Sequence, residues 1–258
     1  GTVSKNAIPA LVKFLTFQPV FKTRLLPSIL HGMVGWGFIL FLLVNLADLI
    51  HAYTGWRLLE QAGLLGGIYR LLADLANVLI LLGVAALAFR RFVLRPAALG
   101  TRSNTLLEPG ARTGITRDSA IVAGFIFLHN ASRMVGESFY LAGQGRADPF
   151  QPFISALALR WVGMNADQLL LGERVMFWLS LGAVVAFLPY FPYSKHLHLF
   201  FAPINFALKP IRRSIGEMAY INLEDETIEQ YGAARVADLG YEQVLDAYAC
   251  IMCFRCQE

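Results

Sequence analysis

Four long apolar runs dominate the chain, at roughly Ser28 to Ala52, Gly67 to Phe89, Asp118 to Ala142 and Gly172 to Tyr193. Short polar pieces containing glycine or proline separate them. A helix needs about 20 apolar residues to cross a bilayer core, so each run predicts one transmembrane helix. Ahead of them, Gly1 to Pro27 is basic and amphipathic: Leu11, Phe14, Leu15, Val20 and Phe21 are interleaved with Lys13 and Lys22. That pattern suits a segment lying in the membrane interface. No small-residue cleavage site follows an apolar core there, so it does not read as a cleavable signal peptide. After Arg213 the chain turns polar, passes an acidic run at Glu224, Asp225 and Glu226, and predicts a short helix over about Tyr241 to Ala249.

Composition and charge add an orientation. Hydrophobic residues make up 56% of the chain and charged residues 16%, below the ~25% charge of a typical soluble domain. The net charge of +4 is carried by the connections. Lys5, Lys13, Lys22 and Arg24 precede the first run. Arg90, Arg91, Arg95, Arg102, Arg112 and Arg117 separate the second from the third, and Lys195, Lys209, Arg212 and Arg213 follow the fourth. The other two connections hold only Arg57, and Arg146 with Arg160. The positive-inside rule places both ends in the cytoplasm. The basic residues form no stripe with interleaved aromatics, which argues against nucleic-acid binding.

All three cysteines fall at the end of the chain, as Cys250, Cys253 and Cys256. They are too close together to staple the body of the protein, which excludes a disulfide scaffold. C-x2-C-x2-C is the spacing with which thiolates wrap a [4Fe-4S] cluster, a fourth cysteine following in ferredoxins. The alternative is zinc, but zinc usually takes a second Cys/His pair at a distance. The sequence ends two residues after Cys256, so the fourth ligand is expected beyond Glu258. The expected architecture is an all-α membrane protein. It has an amphipathic cytoplasmic-side arm over 1–27, a bundle of four long transmembrane helices over 28–213, and a short cytoplasmic tail over 214–258 that opens an iron–sulfur domain.

The five histidines are His31, His51, His129, His196 and His198. An ionisable side chain in a membrane span is costly and marks a functional hypothesis. His31 starts the first span and His198 follows the fourth, so both belong to the cytoplasmic edge. Two imidazoles at one depth can supply both axial positions of a b-type haem. His51 lies about 30 Å further along its helix and reads as an interfacial histidine. His196 would point about 200° away from His198 on a helix, so only one of the two binds that iron. His129 falls near mid-membrane. His196, His129 and His51 remain the alternative haem or quinone ligands.

These residues carry a resemblance. Pro192-Tyr193-Ser194-Lys195-His196-Leu197-His198 resembles the end of the last span in membrane cytochromes b of the nitrate reductase gamma-subunit family. Leu30-His31-Gly32 with Trp36-Gly37-Phe38 resembles the start of the span carrying the partner ligand. The tail from Leu245 through Cys256 and Gln257 resembles the first cluster entry of membrane-anchored, heterodisulfide-reductase-related iron–sulfur reductases, which include electron-transfer-flavoprotein:menaquinone oxidoreductases. The resemblance implies a haem between His31 and His198 and a location in a bacterial or archaeal cell (inner) membrane. It also implies a further span before Gly1. The dihaem relatives carry outer-haem histidines where this chain has Phe41 and Ser180. The expectation is therefore one haem b, a second being the alternative.

Polar residues inside the runs complete the picture: Asp48, Asp74, His129, Arg133 and Glu137. Arg133 and Glu137 are four apart and can pair on one helix face. They read either as a self-satisfied helix-pairing cluster or as a site for menaquinone or another quinone, with a proton path. The implied activity is electron transfer between cytoplasmic clusters and the quinone pool, with a soluble donor such as electron-transfer flavoprotein as partner. The competing readings are a quinol-oxidising anchor of a heterodisulfide or sulfur reductase, a non-catalytic membrane anchor, and a small transporter or channel, which leaves the cysteines unexplained.

Overall fold

The computed structural model describes residues 2–56, 63–101, 105–106, 108–209, 222–224, 227 and 232–254. The helices are α1 (Thr2–Thr16), α2 (Gln18–Phe21), α3 (Leu25–Thr54), α4 (Gly63–Phe89), α5 (Pro109–Gly143), α6 (Pro152–Ala158), α7 (Ala166–Phe187), α8 (His198–Leu208) and α9 (Tyr241–Ala249). A π-helical turn, Arg90–Leu94, continues α4. No strand occurs among the described residues. The chain forms two compact units, one running from Val20 to Ser194 and the other joining the arm through Pro19 to the segment Lys195–Cys253.

In the larger unit α3 packs on α4, α4 on α5 and α5 on α7. Among the described residues three helices are long and apolar enough to cross a membrane: Leu25–Thr54, Gly63–Leu94 and Ala166–Phe187. The third apolar run instead lies within α5, which is long but also carries Arg112, Arg117, Asp118, Arg133 and Glu137. Its uncharged stretch, Ser119 to Ser132, covers about 20 Å.

Helix ends follow local chemistry. α3 stops where Gly55 takes a left-handed conformation at φ 71°, its N–H returning to the His51 carbonyl at 2.8 Å; a residue with a Cβ is strained there. α5 begins well before Asp118, because the Glu108 side chain accepts from Ala111 N at 3.0 Å and Pro109 is preset for the first turn. α7 is shifted toward the N-terminus of the run expected over Gly172 to Tyr193. Asn165 and Gln168 form a reciprocal cap that starts it early, and Pro189 follows the last helical residue, Phe187, by two.

Glycines set how closely the helices approach. A methyl group at Gly37 would meet the Ile80 side chain at 2.4 Å, and one at Gly83 would meet the Leu30 carbonyl oxygen at 2.9 Å. α3 and α4 thus interlock through notches on opposite helices, as small residues permit in membranes. Phe41, Val44, Ala73, Ala76 and Ile80 fill the contact. A Gly83→Leu change meets backbone that cannot yield. It is expected to cost at least about 2 kcal/mol, read as a lower melting temperature in detergent. Gly124→Leu, whose Cβ meets nothing within 4 Å, should leave the melting temperature unchanged or higher.

The outward faces are apolar. Leu42, Leu46, Leu72, Leu82, Leu171, Trp178 and Val185 are all exposed, which is consistent with helices that could span a membrane. In the smaller unit α1 and α9 pack on α8. Asn6 Nδ2 donates to the Lys209 carbonyl at 3.0 Å, Asn205 Nδ2 to Asp246 at 2.7 Å, and Phe201 stacks on Tyr248. Ile8, Leu11, Val12 and Leu15 of α1 stay exposed.

Candidate functional site

A polar cleft lies within the larger unit, near the end where α3 stops and α4 begins. Asn45, Ala47, Asp48 and His51 of α3 line it, with Tyr69 of α4, His129, Arg133, Gly136 and Glu137 of α5, and Glu173, Phe177, Ser180 and Leu181 of α7. It encloses about 730 Å³ of atom-free space, counting its open mouth. Spacings of three and four put each set on one helix face.

His129 forms the deep wall and is 5% exposed. Its Nδ1 lies 3.1 Å from the Ser180 carbonyl oxygen and 3.0 Å from Ser180 Oγ. Ser180 Oγ also donates to the His129 carbonyl at 3.1 Å. A carbonyl oxygen only accepts, so Nδ1 carries the proton and the lone pair sits on Nε2. Nε2 is buried with no hydrogen-bond partner. Phe41 meets the ring edge-on and Phe125 stacks against it. Phe41 and Ser180 therefore both touch His129.

Arg133 Nε donates to Asp48 Oδ2 at 3.0 Å, joining α5 to α3. Its guanidinium also covers the Phe41 ring, 5.6 Å from the centroid. The ion pair of Arg133 with Asp48 thus runs across the helices rather than along α5, while the Glu137 carboxylate acts electrostatically on the same guanidinium. Among the lining residues, Asp48, Glu137 and Glu173 are acids and Arg133 is the one permanent cation.

Asp74 lies outside this lining. It is fully buried, and Oδ2 accepts from Phe153 N at 2.8 Å, capping the start of α6. Nearby, Arg70 pairs with Asp148 at 2.7 Å. Together these contacts fasten the α5–α6 connection to α4. Tyr69 and Glu173 were not singled out by sequence. Glu173 carried a signal, an acid one residue inside the fourth apolar run; Tyr69 carried none.

The other histidines are dispersed. α3 is continuous from Leu25 to Thr54, which puts His31 and His51 about 30 Å apart along it. His51 lines the cleft, its ring edge-on to Phe177 at 6.4 Å. His196 is buried within a 3-10 turn, Lys195–Leu197, and His198 opens α8. His198 Nδ1 donates to the Lys195 carbonyl, which leaves the lone pair on Nε2, the arrangement that orients histidine ligands toward iron. Burial holds the His198 pKa below its ordinary value, favouring the neutral form that ligates metals.

α9 delivers the chain to Cys250, which is exposed, and then to the half-buried Cys253. Met252, at φ 52°, turns the backbone so that its N–H donates to Cys250 Sγ at 3.4 Å. Cys256 lies outside the described residues.

Among curated proteins, the chain is 26% identical over 235 residues to "EtfAB:quinone oxidoreductase" of Syntrophomonas wolfei subsp. wolfei (strain DSM 2245B / Goettingen). It is 27% identical over 235 residues to "Probable iron-sulfur-binding oxidoreductase FadF" of Bacillus subtilis (strain 168). The chain resembles iron–sulfur oxidoreductases. Each alignment covers 89% of this chain but only 31% and 30% of the relatives, so the chain spans about three tenths of their length. No family model and no solved structure matches it. The matched region includes most of the helical part, so the similarity extends well beyond the cysteine motif.

Proposed function

We propose that this chain is the membrane electron-transfer portion of a larger quinone-linked iron–sulfur oxidoreductase. In this reading four helices, α5 among them, cross the membrane, with both ends of the chain cytoplasmic. Electrons from a soluble donor such as electron-transfer flavoprotein enter at the cysteine tail. A menaquinone or similar quinone is reduced in the α3–α4–α5–α7 cleft. Cys250, Cys253 and Cys256 would hold a [4Fe-4S] cluster and His31 and His198 one haem b, which together supply one-electron transfer between donor and quinone.

The observation that carries the reading is His129, a cleft-lining histidine whose buried Nε2 has no hydrogen-bond partner among the described residues, in a lining that also holds three carboxylates. Reducing a quinone takes two electrons and two protons. With Nδ1 held by Ser180, only Nε2 can exchange a proton with a quinone oxygen: its lone pair accepts one from a quinol when electrons run in reverse, and in the reducing direction it passes on a proton only after a carboxylic acid of the cleft has protonated it. Glu137 and Glu173 also line the cleft, and in its protonated form either carboxyl can pass a proton to the imidazole. Arg133 keeps Asp48 compensated and presents positive charge to a developing quinol anion.

The haem assignment is tested on the purified full-length protein by reduced-minus-oxidised spectra of the parent, His31→Ala and His198→Ala. A b-type α band lost in both variants, with one haem per chain by pyridine haemochrome assay, is the expected result. Two haems per chain would overturn the single-haem assignment, and no band in the parent would remove the haem.

A further inference from the structure

We infer that the α3–α7 side of the cleft is a portal through which a long-tailed lipid quinone enters from the bilayer. This rests on the quinone reading above and adds the route and the placement of the tail. The helices of the larger unit pack in the row α3–α4–α5–α7. Within that row the contacts are tight: Gly37 and Gly83 interlock α3 with α4, and Gly136 and Gly172 bring α5 against α7 at Met176 and Phe139. α3 and α7 are the ends of the row and do not pack on one another as these pairs do. Both nevertheless line the cleft.

Across this side His51 meets Phe177 edge-on, with ring centroids 6.4 Å apart. An edge-to-face ring contact opens by side-chain rotation alone, on the timescale of rotamer exchange, whereas opening the α3–α4 or α5–α7 seam would require moving closely packed backbones. Ala47, one helical turn from His51, leaves room beside it, and Leu181 lies one turn from Phe177. Trp178, next to Phe177, is 63% exposed.

The cleft offers His129 and the Arg133–Asp48 pair to a polar ring, while Ala47, Phe177 and Leu181 give its α3 and α7 walls apolar surface beside His51 and Glu173. The ring therefore sits against α5, and the polyprenyl tail leaves between His51 and Phe177 into lipid. His51 is then a portal residue at the end of α3 opposite His31.

The test uses the full-length holoenzyme in lipid nanodiscs and two photoreactive menaquinone analogues, one with an azide on the naphthoquinone ring and one with a diazirine on the second isoprenoid unit. After illumination, labelled peptides are mapped by mass spectrometry with and without excess menaquinone. The portal predicts ring labelling on α5 around His129 and tail labelling on α3 and α7 around Ala47, Phe177 and Leu181, both competed away. Competed ring labelling on α5 with tail labelling on the outward faces of α4 or α5 would overturn the portal and leave the quinone site standing. Absence of ring labelling in the cleft, or labelling that menaquinone does not compete, would overturn the quinone site and the portal with it.

Discussion

Arg133→Leu is expected to lower stability by about 2 to 4 kcal/mol, the scale of breaking a desolvated ion pair by removing one member. The guanidinium is 10% exposed and the Asp48 carboxylate 26%, so little water is available to replace either. Without Arg133 the cleft would hold Asp48, Glu137 and Glu173 with no permanent cation among its lining residues. The contact over Phe41 would go as well, and with it a tie between α3 and α5. In detergent the change should appear as a melting temperature roughly 5 °C or more below the parent. Removing both partners, as Asp48→Leu with Arg133→Leu, should recover much of the loss, because no buried charge is then left alone. A single change that shifts melting by less than a degree would mean that water, not Asp48, balances the arginine.

His129→Leu is expected to reduce quinone turnover by about 100-fold or more, the usual contribution of a positioned acid–base group. Nδ1 is spoken for by Ser180, so no other atom of the ring can replace Nε2. The substitution is close in volume, and Ser180 Oγ keeps the His129 backbone carbonyl as its acceptor. Folding and electron entry should therefore survive. The discriminating readout is the split between two activities of the same preparation: reduction of quinone falls, while reduction of a soluble one-electron dye by the cluster-bearing tail is retained. Equal losses in both would make His129 a packing residue.

How far the sequence was legible can be judged from particular elements. The helix expected over Tyr241 to Ala249 is α9, because a short amphipathic pattern between a glycine and the cysteines admits few alternatives. The first two apolar runs became α3 and α4 with ends displaced by a few residues. The fourth was displaced more, since apolarity continues past Phe187 while backbone hydrogen bonding is interrupted at Pro189. The third was the hardest to classify. Its apolar centre reads as a span, but the charges at both ends keep α5 outside the helices that qualify on length and apolarity.

At the site, spacing within one helix was readable and contact between helices was not. The i, i+4 relation of Arg133 and Glu137 was visible in sequence. The partnership of Arg133 with Asp48 joins residues on different helices, and no local pattern encodes it. Asp74 shows the same limit from the other side: as an acid in an apolar run it reads as functional, yet its carboxylate holds the start of α6. Nor does any local pattern encode that Phe41 and Ser180 converge on His129.

The most direct test of quinone-linked electron transfer is reoxidation of the dithionite-reduced full-length protein by a menaquinone analogue under anaerobic conditions, followed optically. Rapid reoxidation that produces quinol in proportion, and that slows about 100-fold in His129→Leu, is the result this account predicts. A reduced protein that a soluble dye reoxidises at once but that quinone leaves reduced would contradict it.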